Sequence, residues 1–162
     1  MADEPSKLSH VGPDGSARMV DVGDKPVSRR EAIAEGFITL RAYTLRAIVE
    51  GSVPKGDVLA CARIAGIMAA KKCGELIPLC HPLPIEACEV RFDVPTIEAS
   101  TSAEAPIKLR IEAVARITAK TGVEMEALTA VSIAALTVYD MCKAIDKQMA
   151  IDGVRLVKKT KS

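Results

Sequence analysis

Aromatic side chains are almost missing from this chain of 162 residues, which has no tryptophan, two phenylalanines and two tyrosines. Proteins that bind single-stranded nucleic acid stack bases on such rings, so this class of protein is disfavoured. An excess of one charge sign is also lacking, because 22 basic and 21 acidic residues give a formal net charge of +1. We therefore expect no nucleic-acid or membrane partner, and any anion must bind to a local group of basic side chains.

Paired cysteine motifs are lacking as well. The five cysteines form no CxxC motif and their number is odd, and the N-terminus does not show the charged and then apolar pattern of a signal sequence. We predict a reducing, cytoplasmic location with free thiols. The motifs GxxxxGK[ST], GxGxxG, HExxH and GxSxG do not occur, which leaves nucleotide-driven phosphoryl transfer, dinucleotide redox chemistry and those hydrolase classes without support.

The length and the composition, 49% hydrophobic and 27% charged, are those of one globular domain over residues 1–162. A capping box at Ser28–Glu31 predicts the start of a helix, and Asp57 is a second helix cap. Alternation from Cys88 to Val94 predicts a strand. The whole pattern predicts a flexible tail at 1–17 and a basic tail at 158–162. Between them it predicts strands at 18–22, 85–94, 107–118 and 154–157 and helices at 28–51, 58–73 and 123–147.

This order predicts an α+β fold, a sandwich in which helices cover a mainly antiparallel sheet, and specifically a ferredoxin-like one. The helix at 123–147, capped by Thr121, is apolar or small on all sides and should be buried. Glu126 and Asp140 are 14 residues apart on it, or about 21 Å along the axis. Either they belong to two sites, or a neighbouring subunit brings the two helix ends together. Asp140 and Lys143 could form a functional pair or a simple helix-end salt bridge.

A loop stiffened by Pro78, Pro82 and Pro84 holds Cys80 and His81 amid apolar neighbours. His81 could be a core histidine or a ligand-binding one. Adjacent cysteine and histidine suggest zinc, but no second Cys/His cluster at ligand spacing follows, so we predict no metal site. A nucleophilic Cys-His pair is disfavoured, because adjacent residues on extended backbone point apart.

Five longer motifs resemble those of one enzyme family. They are Lys55–Asp57 (KGD), Ala62–Gly66 (ARIAG), Leu76–Leu83 (LIPLCHPL), Lys120–Thr129 (KTGVEMEALT) and Tyr139–Lys143 (YDMCK). On these motifs the chain resembles the cyclic pyranopterin monophosphate synthases, the molybdenum cofactor biosynthesis protein C family, over about residues 8–158. Ala119 stands where that family carries glycine, a departure that leaves the adjoining functional residues in place.

The resemblance implies a cytoplasmic phosphorus–oxygen lyase. Its substrate would be (8S)-3',8-cyclo-7,8-dihydroguanosine 5'-triphosphate, made by a radical SAM GTP cyclase, and its products cyclic pyranopterin monophosphate and pyrophosphate. The resemblance further implies a homohexamer, a trimer of dimers, with active sites between subunits. No resident cofactor is implied; Mg²⁺ could accompany the triphosphate, although the sequence shows no dedicated carboxylate cage.

By position in the motifs, the resemblance assigns Asp140, Lys55 and Lys143 as catalytic residues. The substrate-contacting residues would be Leu79, Cys80, His81, Met125 and Glu126, with Glu124 and Arg30 in support. Lysines can move protons to and from nitrogen and oxygen if burial or neighbouring cations lower their pKa. Cations would also stabilise the pyrophosphate that leaves.

Two rival interpretations remain at this point. Cys80 and His81 could belong to the zinc site of a cyclohydrolase-like enzyme that acts on GTP itself. Alternatively, the chain could be a non-catalytic, oligomeric module that binds a nucleotide or a protein partner, which would leave Lys55, Asp140 and Lys143 without a purpose.

Overall fold

A four-stranded antiparallel sheet forms one layer of this α+β protein, and helices pack against it. The structure is a computed structural model that describes residues 14–162. The strand order is β2-β3-β1-β4. The elements along the chain are β1 Ser28–Arg41, α1 Ala42–Val49, α2 Val58–Lys71, α3 Cys73–Leu76, β2 Ala87–Asp93, β3 Pro106–Ala119, α4 Glu124–Cys142 and β4 Ala150–Lys161.

The first predicted helix was wrong over most of its length, because residues 28–41 form the central strand β1 and only 42–49 are helical. The predicted capping box at Ser28 is therefore a strand start. Alternate residues of β1 are buried, from Ala32 through Ala34, Gly36 and Ile38 to Leu40. This is the two-residue period of a strand with one face on the core. Pairing with both β3 and β4 satisfies the backbone on each side.

Two terminal expectations also change. Residues 18–22 do not form the predicted strand, and the tail predicted over 1–17 lies mostly outside the described residues. At the other end, β4 begins at Ala150 and continues to Lys161. The segment expected to be a basic tail from Lys158 onward is therefore part of a strand, paired with the start of β1.

The remaining elements follow the sequence prediction closely. Strands β2 and β3 form the expected antiparallel hairpin. Helix α2 begins after Asp57, whose side chain accepts a hydrogen bond from the backbone N–H of Ala60, as an N-cap should. Helix α4 starts at Glu124 without the predicted Thr121 cap, since Val123 is the N-cap and no side chain bonds to the helix start; it ends at Cys142, about five residues before the predicted end.

Helix α4 is the core helix of the protein. Ten of its 19 residues are buried, and it packs against α2 and against the sheet. By length and composition it is also the one helix in residues 14–162 that could cross a membrane, a test that buried helices of soluble proteins pass as well. Its burial against α2 and the sheet identifies it as such a core helix.

Close approach between α2 and α4 depends on one glycine. A Cβ atom on Gly66 would lie 2.8 Å from the backbone oxygen of Ala130 and 3.3 Å from the Cβ of Ala134. Contacts under about 3.0 Å are essentially never made by a real side chain, so only glycine fits. The position of α2 against α4 also fixes the connector that precedes α2, which carries Lys55.

Candidate active site

One cluster of charged residues lies at the C-terminal end of α4. Asp140 occupies the last turn of the helix and Lys143 is its C-cap, so the two face each other at i and i+3. The Nζ of Lys143 lies 2.6 Å from Oδ1 of Asp140, and the Nζ of Lys55 lies 2.6 Å from Oδ2. Lys55 also donates to the backbone carbonyl of Asp140 at 3.0 Å. A left-handed turn at Gly56, with φ of 93°, follows Lys55 directly.

The charged groups in this cluster shift one another's pKa values. Hydrogen bonds from Lys143 and then Lys55 lower the pKa of the Asp140 carboxyl to about 2. In return, the Asp140 hydrogen bond raises the pKa of Lys143. The sequence analysis had required a lysine with a lowered pKa; within this chain alone, the opposite holds for Lys143. An anionic group that displaces Asp140 would contact both lysine side chains.

Stability does not explain the cluster. All three side chains are about half exposed, with exposed fractions of 47% for Lys55, 55% for Asp140 and 56% for Lys143. Exposed ion pairs of this kind contribute little to folding. Two ammonium groups held on one exposed carboxylate instead form an arrangement suited to binding phosphate groups.

The acid titration of Asp140 tests this geometry. We expect its carboxyl to titrate with a pKa of about 2 instead of 3.8, and Lys143→Ala should move the midpoint upward because the strongest hydrogen bond is lost. Since the folded-state pKa is depressed, the ion-pair contribution to stability is complete above the unfolded pKa and disappears as the pH falls through the folded pKa. Carboxyl NMR titration measures the midpoint. Lys147→Ala is the matched control, and a wild-type midpoint near 3.8 would contradict the arrangement.

A pocket of about 390 Å³ lies at the opposite, N-terminal end of α4. Loop 77–86 and the first turn of α4 form most of its wall, and the segment 20–25 closes one side. It brings together six of the residues that the sequence analysis assigned to substrate contact, namely Leu79, Cys80, His81, Glu124, Met125 and Glu126. It also includes Val20, Val22 and Lys25, which sequence reasoning missed.

The proline-rich loop is held in place by packing as well as by its own stiffness. Gly74 in α3 lies so close to the loop that a Cβ atom there would be 2.8 Å from Cα of Pro82. The Nε2 atom of His81 lies 2.9 Å from the carbonyl oxygen of Val20. The half-buried His81 ring is therefore both hydrogen-bonded and part of the pocket wall, and its role in binding a ligand stays a prediction.

Glu126 is the buried acid of this pocket, with an exposed fraction of 1%. Burial raises the pKa of its carboxyl. Its Oε1 atom lies 3.9 Å from the Sγ of Cys80, whereas its Oε2 atom has no hydrogen-bond partner within residues 14–162. Burial likewise raises the pKa of the Cys80 thiol to about 12. The Cys80 thiol is therefore protonated at neutral pH unless a cation or a ligand joins it, and burial makes the Glu126 carboxyl harder to ionise.

Glu124 lines this pocket and also a neighbouring cavity, whereas Arg30 lies at the neighbouring cavity alone. Glu124 forms an ion pair with Lys159 of β4 at 3.2 Å. Arg30 in β1 donates to the backbone oxygen of Lys120 at 3.2 Å, and its buried Nε has no partner in the described chain. Together with residues of β4 they line a second cavity of about 290 Å³ that Gly122 also borders.

All ten predicted site residues thus fall into two groups, one at each end of α4. At about 1.5 Å per residue, the helix keeps Glu126 and Asp140 about 21 Å apart. Within one chain the Lys55–Asp140–Lys143 cluster and the pocket therefore do not meet. The structure leaves the two possibilities raised from sequence: separate sites, or one site completed by another subunit.

The chain belongs to the MoaC family, whose model matches residues 19–162. This confirms the family indicated by the motifs. Among its relatives, proteins named cyclic pyranopterin monophosphate synthase come from Chloroflexus aggregans (strain MD-66 / DSM 9485), 57% identical over 98% of this chain and 92% of that protein, and from Roseiflexus sp. (strain RS-1), 56% identical over 96% and 93%. A protein of the same name from Thermoanaerobacter sp. (strain X514) is 52% identical over 94% and 92%.

Proposed function

We propose that this chain is a cyclic pyranopterin monophosphate synthase, a lyase of molybdenum cofactor biosynthesis. It would convert (8S)-3',8-cyclo-7,8-dihydroguanosine 5'-triphosphate to cyclic pyranopterin monophosphate and pyrophosphate. The observation that carries the proposal is the exposed Asp140 carboxylate held between Lys55 and Lys143, each at 2.6 Å. Near full-length identity of 52% to 57% with synthases of that name supports the same assignment.

The chemistry uses the two lysines in two ways. Closure of the cyclic phosphate expels pyrophosphate, and ammonium groups aimed at the leaving oxygen stabilise the charge that develops there. Ring opening and ring closure also move protons to and from nitrogen and oxygen, which a lysine near bound phosphate can relay. Asp140 positions both lysines before substrate arrives. Its carboxylate is ionised at neutral pH because its pKa is about 2.

The active site would be shared between subunits of a homohexamer, a trimer of dimers. The separation of the two site halves along α4 supports this arrangement, because the Lys55–Asp140–Lys143 cluster does not reach the 390 Å³ pocket within one chain. Exposed apolar side chains on α2 and α4 also support an interface: Ile64 is 59%, Met68 53% and Leu136 52% exposed. Exposed apolar side chains that cluster on a surface are typical of subunit contacts, and Ile64 and Met68, at i and i+4, share one face of α2.

The finer fold assignment is a ferredoxin-like sandwich. The element order reads as strand, helices, two strands, helix, strand, and the sheet order β2-β3-β1-β4 is that of a split βαβ arrangement. We place the enzyme in the cytoplasm, where its five cysteines would stay as the free thiols seen here. Its substrate comes from a radical SAM GTP cyclase. We propose no resident cofactor for the reaction, with Mg²⁺ at most accompanying the triphosphate.

A direct assay tests the function. Purified protein is incubated with the cyclised dihydro-GTP compound, and pyranopterin product and pyrophosphate are measured, with Lys55→Ala as the control. We expect both products from the wild type and neither from the variant. GTP itself should give no product; product from GTP would favour the zinc cyclohydrolase instead. No product from a correctly assembled oligomer on either compound would favour the non-catalytic binding module.

A further inference from the structure

Two thiols and a carboxyl group converge behind the pocket at the start of α4. Cys73 is the first residue of α3, Cys80 lies in the proline-rich loop, and Glu126 lies in the first turn of α4. Their donor atoms all lie within 4.8 Å of one another. The two Sγ atoms are 3.9 Å apart, and Cys80 Sγ lies 3.9 Å from Oε1 of Glu126.

These spacings match the edges of a tetrahedral metal site. Zinc binds thiolate sulfur at about 2.3 Å and carboxylate oxygen at about 2.0 Å, so a tetrahedron has S–S edges of about 3.8 Å and S–O edges of about 3.5 Å. The separation of the two Sγ atoms and that of Cys80 Sγ and Glu126 Oε1 exceed these values by only a few tenths of an ångström. The third edge, between Cys73 and Glu126, is within 4.8 Å, so binding a cation needs side-chain rotation that brings these two groups closer.

An unsatisfied acceptor supports the same conclusion independently of spacing. The Oε2 atom of the buried Glu126 has no hydrogen-bond partner, and within residues 14–162 no lysine, arginine or histidine forms an ion pair with its carboxylate. A buried polar atom left unpaired costs free energy. A metal cation would satisfy it. Thr129 Oγ1, 3.5 Å from Cys73 Sγ, is placed to donate a hydrogen bond to that sulfur as a thiolate.

We propose that Cys73, Cys80 and Glu126 form a binding site for a thiophilic divalent cation, zinc by preference, with its fourth position open to the pocket. Two sulfur ligands select zinc over magnesium or calcium, which take oxygen ligands. On binding, both thiols release their protons to solvent, and Glu126 binds as the carboxylate. Three anionic ligands and one divalent cation leave a net charge of −1 at the centre.

The sequence analysis missed this site because Cys73 looked like the end of α2 and no second Cys/His cluster followed Cys80. The seven-residue separation of the two cysteines is not a familiar ligand spacing; α3 turns the chain so that they meet. The proposal does not depend on the synthase activity. Because Cys80 and Glu126 line the 390 Å³ pocket, a bound cation would occupy space at the wall of that pocket.

Cobalt titration of the full-length oligomer, reduced with a thiol-free phosphine, tests the site without substrate. Co²⁺ takes the place of Zn²⁺ and gives an ultraviolet thiolate-to-cobalt charge-transfer band. We expect one Co²⁺ per chain, displaced by Zn²⁺. Binding should be more than about 100-fold weaker in Cys73→Ala and Cys80→Ala, because loss of a metal ligand should cost more affinity than loss of a residue that hydrogen-bonds to a ligand. Cys61→Ala removes an exposed thiol of α2 and is the matched control.

The outcome is decisive either way. Saturable binding in the wild type and in Cys61→Ala, together with its loss in Cys73→Ala, establishes the site. No charge-transfer band in the correctly assembled wild type overturns it, as does unchanged binding in Cys73→Ala. If Cys73→Ala fails to assemble, alkylation of wild-type Cys80 followed by mass spectrometry replaces it: Zn²⁺ should protect Cys80 and leave Cys61 reactive, and equal protection or none overturns the proposal.

Discussion

Lys143→Ala is expected to lower the turnover of the cyclised dihydro-GTP compound by about 10²–10⁴-fold, the range over which a positioned acid–base group contributes. The variant keeps Asp140 and its 2.6 Å contact to Lys55, so the helix end should remain in place. The variant lacks one of the two ammonium groups that hydrogen-bond to the Asp140 carboxylate. Steady-state release of pyrophosphate measures the effect, and sedimentation shows whether the variant has the same assembly state as the wild type.

Two further variants separate the roles of Lys143. Lys147→Ala removes an exposed lysine just beyond α4 and should retain wild-type turnover. Lys143→Arg preserves the positive charge, but a guanidinium group does not lose its proton at neutral pH. Recovery of activity in Lys143→Arg would therefore assign a purely electrostatic role, whereas continued loss would assign proton transfer. Normal turnover in Lys143→Ala would contradict the assignment of this cluster as catalytic.

Gly66→Ala is expected to destabilise the protein by about 1–3 kcal/mol, the usual cost of overpacking a core. Helix propensity alone predicts the opposite sign, since alanine in place of a helix-interior glycine should stabilise by about 1 kcal/mol. The steric term should prevail, because the new Cβ would lie 2.8 Å from the backbone oxygen of Ala130, which cannot move without shifting α4. For a chain of this size the melting temperature should fall by roughly 2–12 °C.

Denaturant unfolding at fixed protein concentration measures this change, since the stability of an oligomer depends on concentration. Cys61→Ala lies in the same helix on an exposed position and should stay within about 0.5 kcal/mol of the wild type. A Gly66→Ala variant as stable as Cys61→Ala would mean that α2 and α4 can separate freely. The contact that places the Lys55 connector would then be looser than described.

The sequence predicted the secondary structure correctly where the apolar residues follow only one period, that of a helix or that of a strand. Strict alternation from Cys88 to Phe92 identified β2, and the Asp57 cap with small apolar residues behind it identified α2. Both signals are local, so tertiary structure had nothing to override. The buried helix α4 was equally clear, because a long uncharged stretch rich in alanine has few alternatives.

The prediction was wrong where the apolar residues fit both the helical period and the two-residue period of a strand. In residues 28–41 the apolar positions Ala34, Phe37 and Ile38 fit a helix, yet Ala34 and Ile38 also lie on the even positions of a strand. Alanine favours helix locally. Side chains on the other face of β1 stabilise the strand by bonding across the sheet. Glu31 bonds to Arg116 of β3, and Glu35 bonds to arginines of both β3 and β4. Those partners are distant in sequence, so no local pattern reveals them.

Site prediction shows the same division. Motif resemblance supplied Lys55, Asp140 and Lys143, and the structure places them in direct contact. It also supplied most of the pocket wall. Cys73 and the segment containing Val20 were missed because turns of the chain, which the motifs do not indicate, bring them to the cysteine–glutamate cluster and to the pocket wall. The nearest signal was the small spacing between Cys73, just before the proline-rich loop, and Cys80 within it.

The central position of β1 has a consequence for how the chain folds. Ser28 pairs with Ala119, and Arg30 pairs with Lys161. The strand synthesised first in the sheet therefore waits for partners made roughly 90 and 130 residues later. Such non-local pairing is intrinsically slow. During translation β1 has unpaired edges, and α4 emerges before β4 can complete the sheet beside it. Folding of this protein should therefore be rate-limited by late closure of β4 onto β1, and the nascent chain is most prone to aggregation just before that step.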